Sequence, residues 1–404
     1  MAAFKWVIQA VAPIAVMGAL VSAAHAADPE FDAFRQSFRS EALAAGISAE
    51  TYTREMATAE PLPIVFERDS NQPEFNRPVW SYLESAVSER RVNDGITNAT
   101  LRNDTLAAVE EKYGVDRAII AAIWGLESAY GKIMGDHDVV SSLATMAYKG
   151  RRTFFGKSQL IGALTILDKD YADRSQLKGS WAGAMGQTQF IPTTYLAYAV
   201  DEDGDGHRNL WTNHADIFAS TANYLKRSGY KAGQPWGMEV MVPAEFDYGD
   251  ASLDTEKTVA QWYSMGVRTP TGSLSDMADL NASASILVPA GANGPAFMVF
   301  DNYRAILKYN NSTSYALGVG MLSNAIAGRS ITLAQDWPRD DRPLSLDERK
   351  QLQQTLADKG YDPGPVDGII GAGTRKALKA WQRAQGVPAD GYASAKTLAA
   401  LTAS

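Results

Sequence analysis

The stretch Tyr113–Gly131, YGVDRAIIAAIWGLESAYG, constrains this chain more than any other. Asp116 near its start and Gly131 just past its end bracket a helix. Ile120, Ile123 and Trp124 fall at i, i+3 and i+4 and form one apolar stripe, and Glu127 is the i+7 member. A carboxyl group on the buried side of a helix, beside a tryptophan, is costly to ionise, so its pKa rises. Such a group still carries its proton near neutral pH, as a general acid must. The same residues also suit a Glu at the edge of the stripe, paired with Arg or Lys. The helix alone leaves both readings open.

The N-terminus reads as a leader. Lys5 is the only charge ahead of the apolar run Trp6–Val21, which is followed by Ala24-His25-Ala26, an A-x-A cleavage site, and a polar start at Asp28. Residues 1–26 are expected to be a secretory signal peptide, which makes the mature chain periplasmic. A retained membrane anchor is the competing reading, because the run is near spanning length. No later stretch reaches that length, so no transmembrane segment is expected in the mature chain. The chain has no cysteine, which excludes disulfides, thiol nucleophiles, Cys-ligated metals and a lipid-modified N-terminal Cys. Export without disulfides suits a bacterial envelope. Losing residues 1–26 removes one lysine and no acid, moving the net charge from −8 to −9, and so no nucleic-acid partner is expected.

With 404 residues, 46% of them hydrophobic, the chain can build two or three domains. From Asp28 to about Ser88 the pattern is helical, cut by Pro61, Pro63, Pro73 and Pro78. Helices are predicted over Leu101–Tyr113, within Val139–Leu167, after a Gly-rich turn in residues 179–199, and over residues 214–228. Residues 234–309 carry Pro, Gly and Ser clusters between short apolar runs (Glu239–Val242, Ile286–Val288, Phe297–Phe300), which predicts a small β-rich insertion. Helix returns at Tyr315–Ala327, giving a first domain over 28–333. Residues 334–343 read as a charged, Pro-containing linker. Residues 344–404 form a separate three-helix module that opens on a Ser345-x-x-Glu348 capping box. Its helices run through Leu352 and Leu356, Thr374 to Gln385, and Ser394 to Leu401. It also holds an internal echo: Asp367-Gly368 precedes Thr374 as Asp390-Gly391 precedes Thr397.

Several chemistries are absent. There is no H-E-x-x-H and no G-x-S-x-G, and the mature chain has only His137, His207 and His214. GRRTFFGKS (Gly150–Ser158) imitates a phosphate loop, but its first glycine comes one residue early and no buried strand precedes it. Residues 201–212 are stronger. Counted as a calcium loop, Asp201, Asp203 and Asp205 fall at positions 1, 3 and 5, Gly206 at 6, His207 at 7 and Asn209 at 9, but Thr212 replaces the closing acid. A structural Ca²⁺ or Na⁺ is the expectation, with no cofactor required for chemistry. The segment GSWAGAMGQTQFIP (Gly179–Pro192) sets Ser180, Gln187 and Gln189 among glycines and the flat faces of Trp181 and Phe190. Neutral polar groups interleaved with aromatics suit a carbohydrate, and the same small residues also suit a tight helix crossing.

Three motifs in order, I-W-G-L-E-S-A-Y-G, G-A-M-G-x-x-Q-F-I-P and D-x-D-G-D-G-H-x-N-L-W, resemble the B-type lytic murein transglycosylases. Tyr309–Ala316, YNNSTSYA, matches the family's last core motif, and the D-G-I-I-G-x-x-T and W-Q of residues 344–401 resemble a peptidoglycan-binding domain. The resemblance implies a mainly α (α+β) fold with a lysozyme-like helical core. It implies Glu127 as the single catalytic acid, Ser180 and Gln189 lining the sugar cleft, and Tyr309 and Tyr315 as its aromatic wall. Arg151 and Arg152 correspond to a basic pair near muramyl lactyl or peptide carboxylates. The implied partners are peptidoglycan glycan strands and other cell-wall enzymes. Gln187-Thr188 departs from the aromatic-Gly pair of the family, and Thr212 from its closing acid.

Most glycosidases use two carboxylates. Here only Glu127 sits in a motif of the right kind, and Asp136 and Asp138 are the only nearby candidates for a second. One acid implies a substrate that supplies the rest: its N-acetyl group assists and its C6 hydroxyl attacks, leaving a 1,6-anhydro end. The alternatives are a hydrolytic muramidase of the same fold and a non-catalytic wall-binding scaffold.

Overall fold

The computed structural model describes residues 28–70, 77–272 and 279–404. The expected signal peptide and Pro73 lie outside them. In chain order the first helices are α1 (Pro29–Ala44), α2 (Ala49–Ala57), α3 (Pro63–Ser70), α4 (Val79–Ala86), α5 (Glu89–Leu101), α6 (Asn103–Tyr113) and α7 (Arg117–Ser128). A short ribbon of β1 (His137–Asp138) and β2 (Lys178–Gly179) embraces α8 (Val139–Lys149) and α9 (Thr153–Asp168). Then come α10 (Pro192–Tyr198), α11 (His214–Arg227), β3 (Gly237–Val240), β4 (Lys257–Thr258), α12 (Val259–Ser264), β5 (Ser283–Leu287) and β6 (Ala296–Val299). The first domain closes with α13 (Asp301–Tyr309) and α14 (Thr313–Ile326), and the C-terminal module is α15 (Leu346–Asp358), α16 (Ala372–Ala384) and α17 (Ala395–Ala403). No helix among the described residues is long and apolar enough to cross a membrane.

α7 is the centre of one of the two main helical cores. The Asp116 side chain accepts from the Ala118 N–H at 2.7 Å and caps its start. Every residue from Ala118 to Gly125 is buried, so the helix is enclosed on all sides and does not present a single stripe. α14 packs against both α7 and α4, and it meets α4 through a small residue: a Cβ on Gly318 would come within 3.0 Å of the Tyr82 ring. The helix ends sooner than the glycine suggested. Ala129 (φ 48°) and Tyr130 (φ 60°) take left-handed conformations before Gly131 (φ 83°) does. The Tyr130 ring, edge-on to Trp124 at 5.3 Å, and its hydroxyl, donating to the Arg91 carbonyl at 2.8 Å, hold that strained turn.

The second helical core forms where α8 and α9 pack against α1, α2 and α10, with Leu143, Leu160, Leu164 and Met185 fully buried. The helical stretch predicted over 139–167 is thus two helices, broken at Gly150, whose carbonyl-side neighbours leave no room for a Cβ (2.5 Å to the Met146 carbonyl oxygen).

The β-rich insertion is a four-stranded antiparallel sheet in the order β3-β6-β5-β4. Along β6 the side chains alternate. Ala296 and Met298 join a core with Val240, Ile286 and Trp262, while Phe297 and Val299 turn into the core around α7. The sheet is therefore wedged between two apolar clusters. The insertion is shorter than its predicted span, because residues 301–309 form a helix of the main core. Asn302 binds that helix to residues 231–234: its Nδ2 donates to the Lys231 and Gln234 carbonyls, and its Oδ1 accepts from the Lys231 N–H.

The C-terminal module buries Leu352, Leu356, Leu378, Trp381 and Leu401 between its three helices, and both halves of the Ser345–Glu348 capping box form. The sequence echo has a physical cause. Gln353 accepts from the Gly368 N–H at 2.7 Å and donates to Asp367, and Gln382 accepts from the Gly391 N–H at 2.8 Å and donates to Asp390. Residues 334–343 do not run as a free tether. Trp337 lies against Trp80 (6.2 Å) and Phe297 (6.3 Å), and Asp341 is buried where it accepts from the Lys396 N–H at 3.0 Å.

Candidate active site

Glu127 sits in the last turn of α7, partly buried, and the Tyr315 hydroxyl of α14 donates to its Oε1 at 2.5 Å. Burial pushes its pKa up from 4.5 to about 7, against the lowering effect of the Tyr315 hydrogen bond. No neighbouring carboxylate or cation among the described residues contributes to that shift. The other reading of this helix, a Glu at the edge of the stripe paired with Arg or Lys, does not hold among the described residues, where no cation acts on Glu127.

Tyrosines surround it. Tyr309, at the end of α13, donates to the Thr188 carbonyl at 2.7 Å and packs on Phe190 (5.7 Å) and Tyr224 (5.0 Å). Burial first, and then the Glu127 charge, hold the Tyr309 and Tyr315 hydroxyls well above their usual pKa. Tyr82 of α4 belongs to the same group, pushed up to about 12 by burial and by Glu127. Sequence reasoning missed Tyr82, because α4 lies between proline-broken pieces and no motif marks it.

The glycine-rich segment folds as a tight double turn joined by bridges Gly179–Met185 and Met185–Phe190. Ser180 organises it, its Oγ accepting from the Ala182 and Ala184 N–H groups at 3.3 and 3.1 Å. Gln189, itself at φ 51°, donates from Nε2 to the Met134 and Gly186 carbonyls, and its Oε1 has no donor among the described residues. Gln187 was expected beside it in the cleft. Instead its side chain is buried and saturated: Oε1 accepts from Trp124 Nε1 at 2.6 Å, and Nε2 donates to the Trp211 carbonyl at 2.7 Å. It pins the turn to α7.

Of the basic pair, Arg152 is fixed. Its Nε donates to the buried Asp69 at 2.9 Å, and its guanidinium lies 5.8 Å from the centre of the Trp181 ring and 5.3 Å from that of Phe155. Its Nη2 is buried without a partner. Arg151 contributes its backbone N–H to Asp69 at 2.7 Å, and its side chain is exposed. The two candidates for a second acid are not placed for chemistry. The Asp136 side chain is 96% exposed. Asp138 caps α8 through the Ser141 N–H and receives Nε and Nη2 of Arg174, each at 2.8 Å. Burial raises its pKa, but Arg174 and the Ser141 hydrogen bonds together outweigh burial and hold it below the usual carboxylate value.

In the acidic loop, oxygens of Asp201, Asp203 and Asp205 lie within 4.8 Å of one another. Asp201 accepts from the N–H groups of Gly204, Asp205 and Gly206. His207 and Asn209 follow at positions 7 and 9: the His207 side chain is exposed, and the Asn209 side chain bonds Thr212 and the Trp211 N–H. A residue beyond the counted loop, Asp216, is fully buried behind it and accepts from the Glu202 and Asn209 N–H groups at 2.7 Å each. A twelve-residue count stops short of it. The loop leads into Leu210, whose carbonyl accepts from the Gln187 N–H at 2.8 Å, so it is coupled to the glycine-rich turn.

The family profile described as "Transglycosylase SLT domain" matches residues 30–324, and that described as "Putative peptidoglycan binding domain" matches residues 345–401. The chain is 32% identical over 248 residues to the Escherichia coli (strain K12) membrane-bound lytic murein transglycosylase B, covering 61% of this chain and 66% of that protein. SltB3 from Pseudomonas aeruginosa, solved with NAG-NAM-pentapeptide, is 51% identical with a TM-score of 0.89, over 92% of this chain and 99% of that one. The Escherichia coli lytic transglycosylase Slt35, solved with calcium, is 29% identical with a TM-score of 0.61, over 74% of this chain and 93% of that one. With a matching core over residues 30–324 and a matching appended module over residues 345–401, the chain belongs to the SLT transglycosylase family, an enzyme core followed by a peptidoglycan-binding domain.

Proposed function

We propose that this protein cleaves the β-1,4 bond between N-acetylmuramic acid and N-acetylglucosamine in peptidoglycan, leaving 1,6-anhydro-muramyl ends. One observation carries this reading: Glu127 is a lone, desolvated acid with a pKa near 7 and no second carboxylate acting on it among the described residues. That no second carboxylate acts on Glu127 among the described residues argues against a two-carboxylate hydrolysis. The SLT family match and the ligand of SltB3 support the substrate class.

In the first step the Glu127 carboxyl donates its proton to the glycosidic oxygen as the bond to C1 breaks. The muramyl N-acetyl oxygen shares the positive charge at C1. The product carboxylate then takes the proton of the C6 hydroxyl, whose oxygen bonds to C1. The proton returns to Glu127 and no water is consumed, so the reaction is a lyase reaction. A pKa near 7 suits a group that must be acid and then base. The Tyr315 hydroxyl steadies the carboxylate between the two roles. Ser180, Gln189 and the rings of Tyr309 and Trp181 are the proposed sugar contacts, and Arg152 the contact to a carboxylate. Mass spectrometry of the muropeptides released from sacculi is the test. Anhydro ends support the reading, and reducing ends heavier by one water replace it with hydrolysis.

The donor set of Asp201, Asp203 and Asp205 fits a hard, oxygen-ligated cation. Calcium in Slt35 supports Ca²⁺ as the proposed occupant. It would serve structure alone, by stiffening the loop that carries Leu210 and Trp211 against Gln187. The leader expected over residues 1–26 and the match to a peptidoglycan-binding domain support a periplasmic, wall-bound enzyme.

A further inference from the structure

A pocket of about 490 Å³ opens where the C-terminal ends of α10, α11 and α13 meet. The rings of Tyr198 and Tyr224, 4.6 Å apart, line it together with Arg227, Lys308 and Asn311, which are exposed. Among the described residues no Asp or Glu lines it, and neither Arg227 nor Lys308 pairs with one. Both cations are nevertheless held in place. The Arg227 guanidinium lies over the Tyr198 ring at 4.7 Å and donates from Nη1 to the Ala197 carbonyl at 2.6 Å, and Lys308 Nζ donates to the Ser228 carbonyl at 2.9 Å. Tyr309 does not line the pocket, but its ring lies 5.0 Å from that of Tyr224. The pocket is therefore a separate site, one ring contact away from the wall that faces Glu127.

Cations at helix C-termini have a structural use, since each helix end carries a partial negative charge of roughly half a unit. That use leaves most of their bonding capacity free here. Arg227 and Lys308 each spend one N–H on a carbonyl, and two further carbonyls at these ends are met by other groups: Asn223 Nδ2 donates to that of Tyr198 at 2.8 Å, and the Tyr224 hydroxyl to that of Lys308. Two whole positive charges thus face outward beside partly exposed aromatic rings and the Asn311 amide, in a chain of net charge −8. Flat apolar rings suit the face of a pyranose, an amide suits its hydroxyls, and fixed cations suit a carboxylate. We infer that this pocket is a second saccharide site, which takes a carboxylate-bearing sugar on Tyr198 and Tyr224 with its carboxylate on Arg227 and Lys308. The muramyl sugar has this chemistry, an identification that rests on the reading of the protein as a peptidoglycan enzyme. Such a sugar reaches the pocket from the strand being cut or from a neighbouring strand of the wall.

The test compares the full wild-type chain with a double variant, Arg227→Gln with Lys308→Gln, both exposed positions. Titrations with N-acetylmuramic acid and with N-acetylglucosamine judge the pocket without turnover. Wild type is expected to bind the acidic sugar at one more site than the double variant, with the difference fading as salt is raised, and to bind the neutral sugar as the variant does. Equal stoichiometry for N-acetylmuramic acid in the two proteins overturns the assignment, and so does loss of both sugars together. Turnover then separates the two sources. If the strand in the cleft fills the pocket, the double variant loses roughly five-fold in kcat/KM on long soluble strands, through KM, and nothing on short ones. If a neighbouring strand fills it, the same loss appears on intact sacculi and on no soluble strand. No loss on any of these substrates overturns the inference. The titrations do not depend on the reaction, so a wild-type protein that shows the extra acidic-sugar site but releases ends heavier by one water fails the proposed function and leaves the pocket standing.

Discussion

The Tyr315 hydroxyl donates to Glu127 Oε1 at 2.5 Å, and it is the one group among the described residues that works against burial in setting the Glu127 pKa. The bond stabilises the charged carboxylate, so removing it leaves desolvation unopposed. Tyr315→Phe should therefore move the alkaline limb of the pH–rate profile upward. It should also lower kcat by roughly ten-fold, as expected for a lost hydrogen bond to a charged group. A profile that stays in place, or moves to lower pH, would mean that Tyr315 packs without tuning the acid.

Burial of Glu127 has a cost visible in stability. Its pKa rises from 4.5 to about 7 on folding, so within that window the folded chain holds a proton that the unfolded chain has released. Stability contributed by this group therefore falls as pH rises from 4.5 through 7, by up to about 3 kcal/mol. Glu127→Gln cannot ionise. Its melting temperature should equal that of wild type at pH 4 and exceed it at pH 8, while turnover is abolished. Equal melting at both values would show that the carboxyl group is freely solvated.

Asp138 offers a direct test of one acid against two. Its bonds to Arg174 and to the start of α8 are those of a structural cap, and Arg174 passes on to the buried Glu55 at 2.8 Å. Asp138→Asn should keep kcat within about three-fold while losing about 1–2 kcal/mol of stability in urea unfolding. A loss of activity approaching that of Glu127→Gln, in a folded variant, would restore the second carboxylate and with it the muramidase reading.

The parts of this site that could be read from sequence are those made by neighbours in the chain. The Asp116 cap, the buried Ile120–Trp124 run and the Asp201–Asp205 loop are local, and periodicity or fixed spacing reveals them. Tyr82 and Asp216 reach their positions only through packing of distant helices, and neither lies in a motif. Gln187 failed for the opposite reason. A polar side chain two residues from Gln189 looks like a second sugar contact, but Gly186 (φ 68°) and Gln189 (φ 51°) turn the chain so that Gln187 points at Trp124. The same turn ended the expected run of cleft residues and replaced it with an internal strut. The contacts of the expected linker were not legible in its charged composition: Trp337 is anchored on Trp80 and Phe297, which are distant in the chain.

That strut makes a prediction of its own. Gln187→Leu would leave the Trp124 Nε1–H and the Trp211 carbonyl without their partner in a dry interior. Each unpaired group costs about 1–3 kcal/mol, so with two of them the variant should be destabilised by roughly 2–6 kcal/mol. Gln187→Glu keeps the acceptor for Trp124 but sets a buried carboxylate oxygen against the Trp211 carbonyl, and so should also be destabilised in urea unfolding at pH 8. An unchanged midpoint in the Leu variant would mean that water or a neighbour replaces the amide.

The acidic loop feeds the same strut, because Leu210 and Trp211 belong to it and both carbonyls are bonded by Gln187. A cation that gathers Asp201, Asp203 and Asp205 binds the folded chain and not the unfolded one, and so raises stability by mass action. Millimolar Ca²⁺ should raise the melting temperature of the wild-type protein by several degrees, and a chelator should reverse it. Asp201→Asn removes a ligand charge and should abolish the response without altering the mass of the muropeptide products. A calcium response that survives in Asp201→Asn would place the ion elsewhere. A loss of product in that variant at saturating substrate, with the fold intact, would mean that the loop acts on Glu127 through Gln187 and Trp124 as well as on stability.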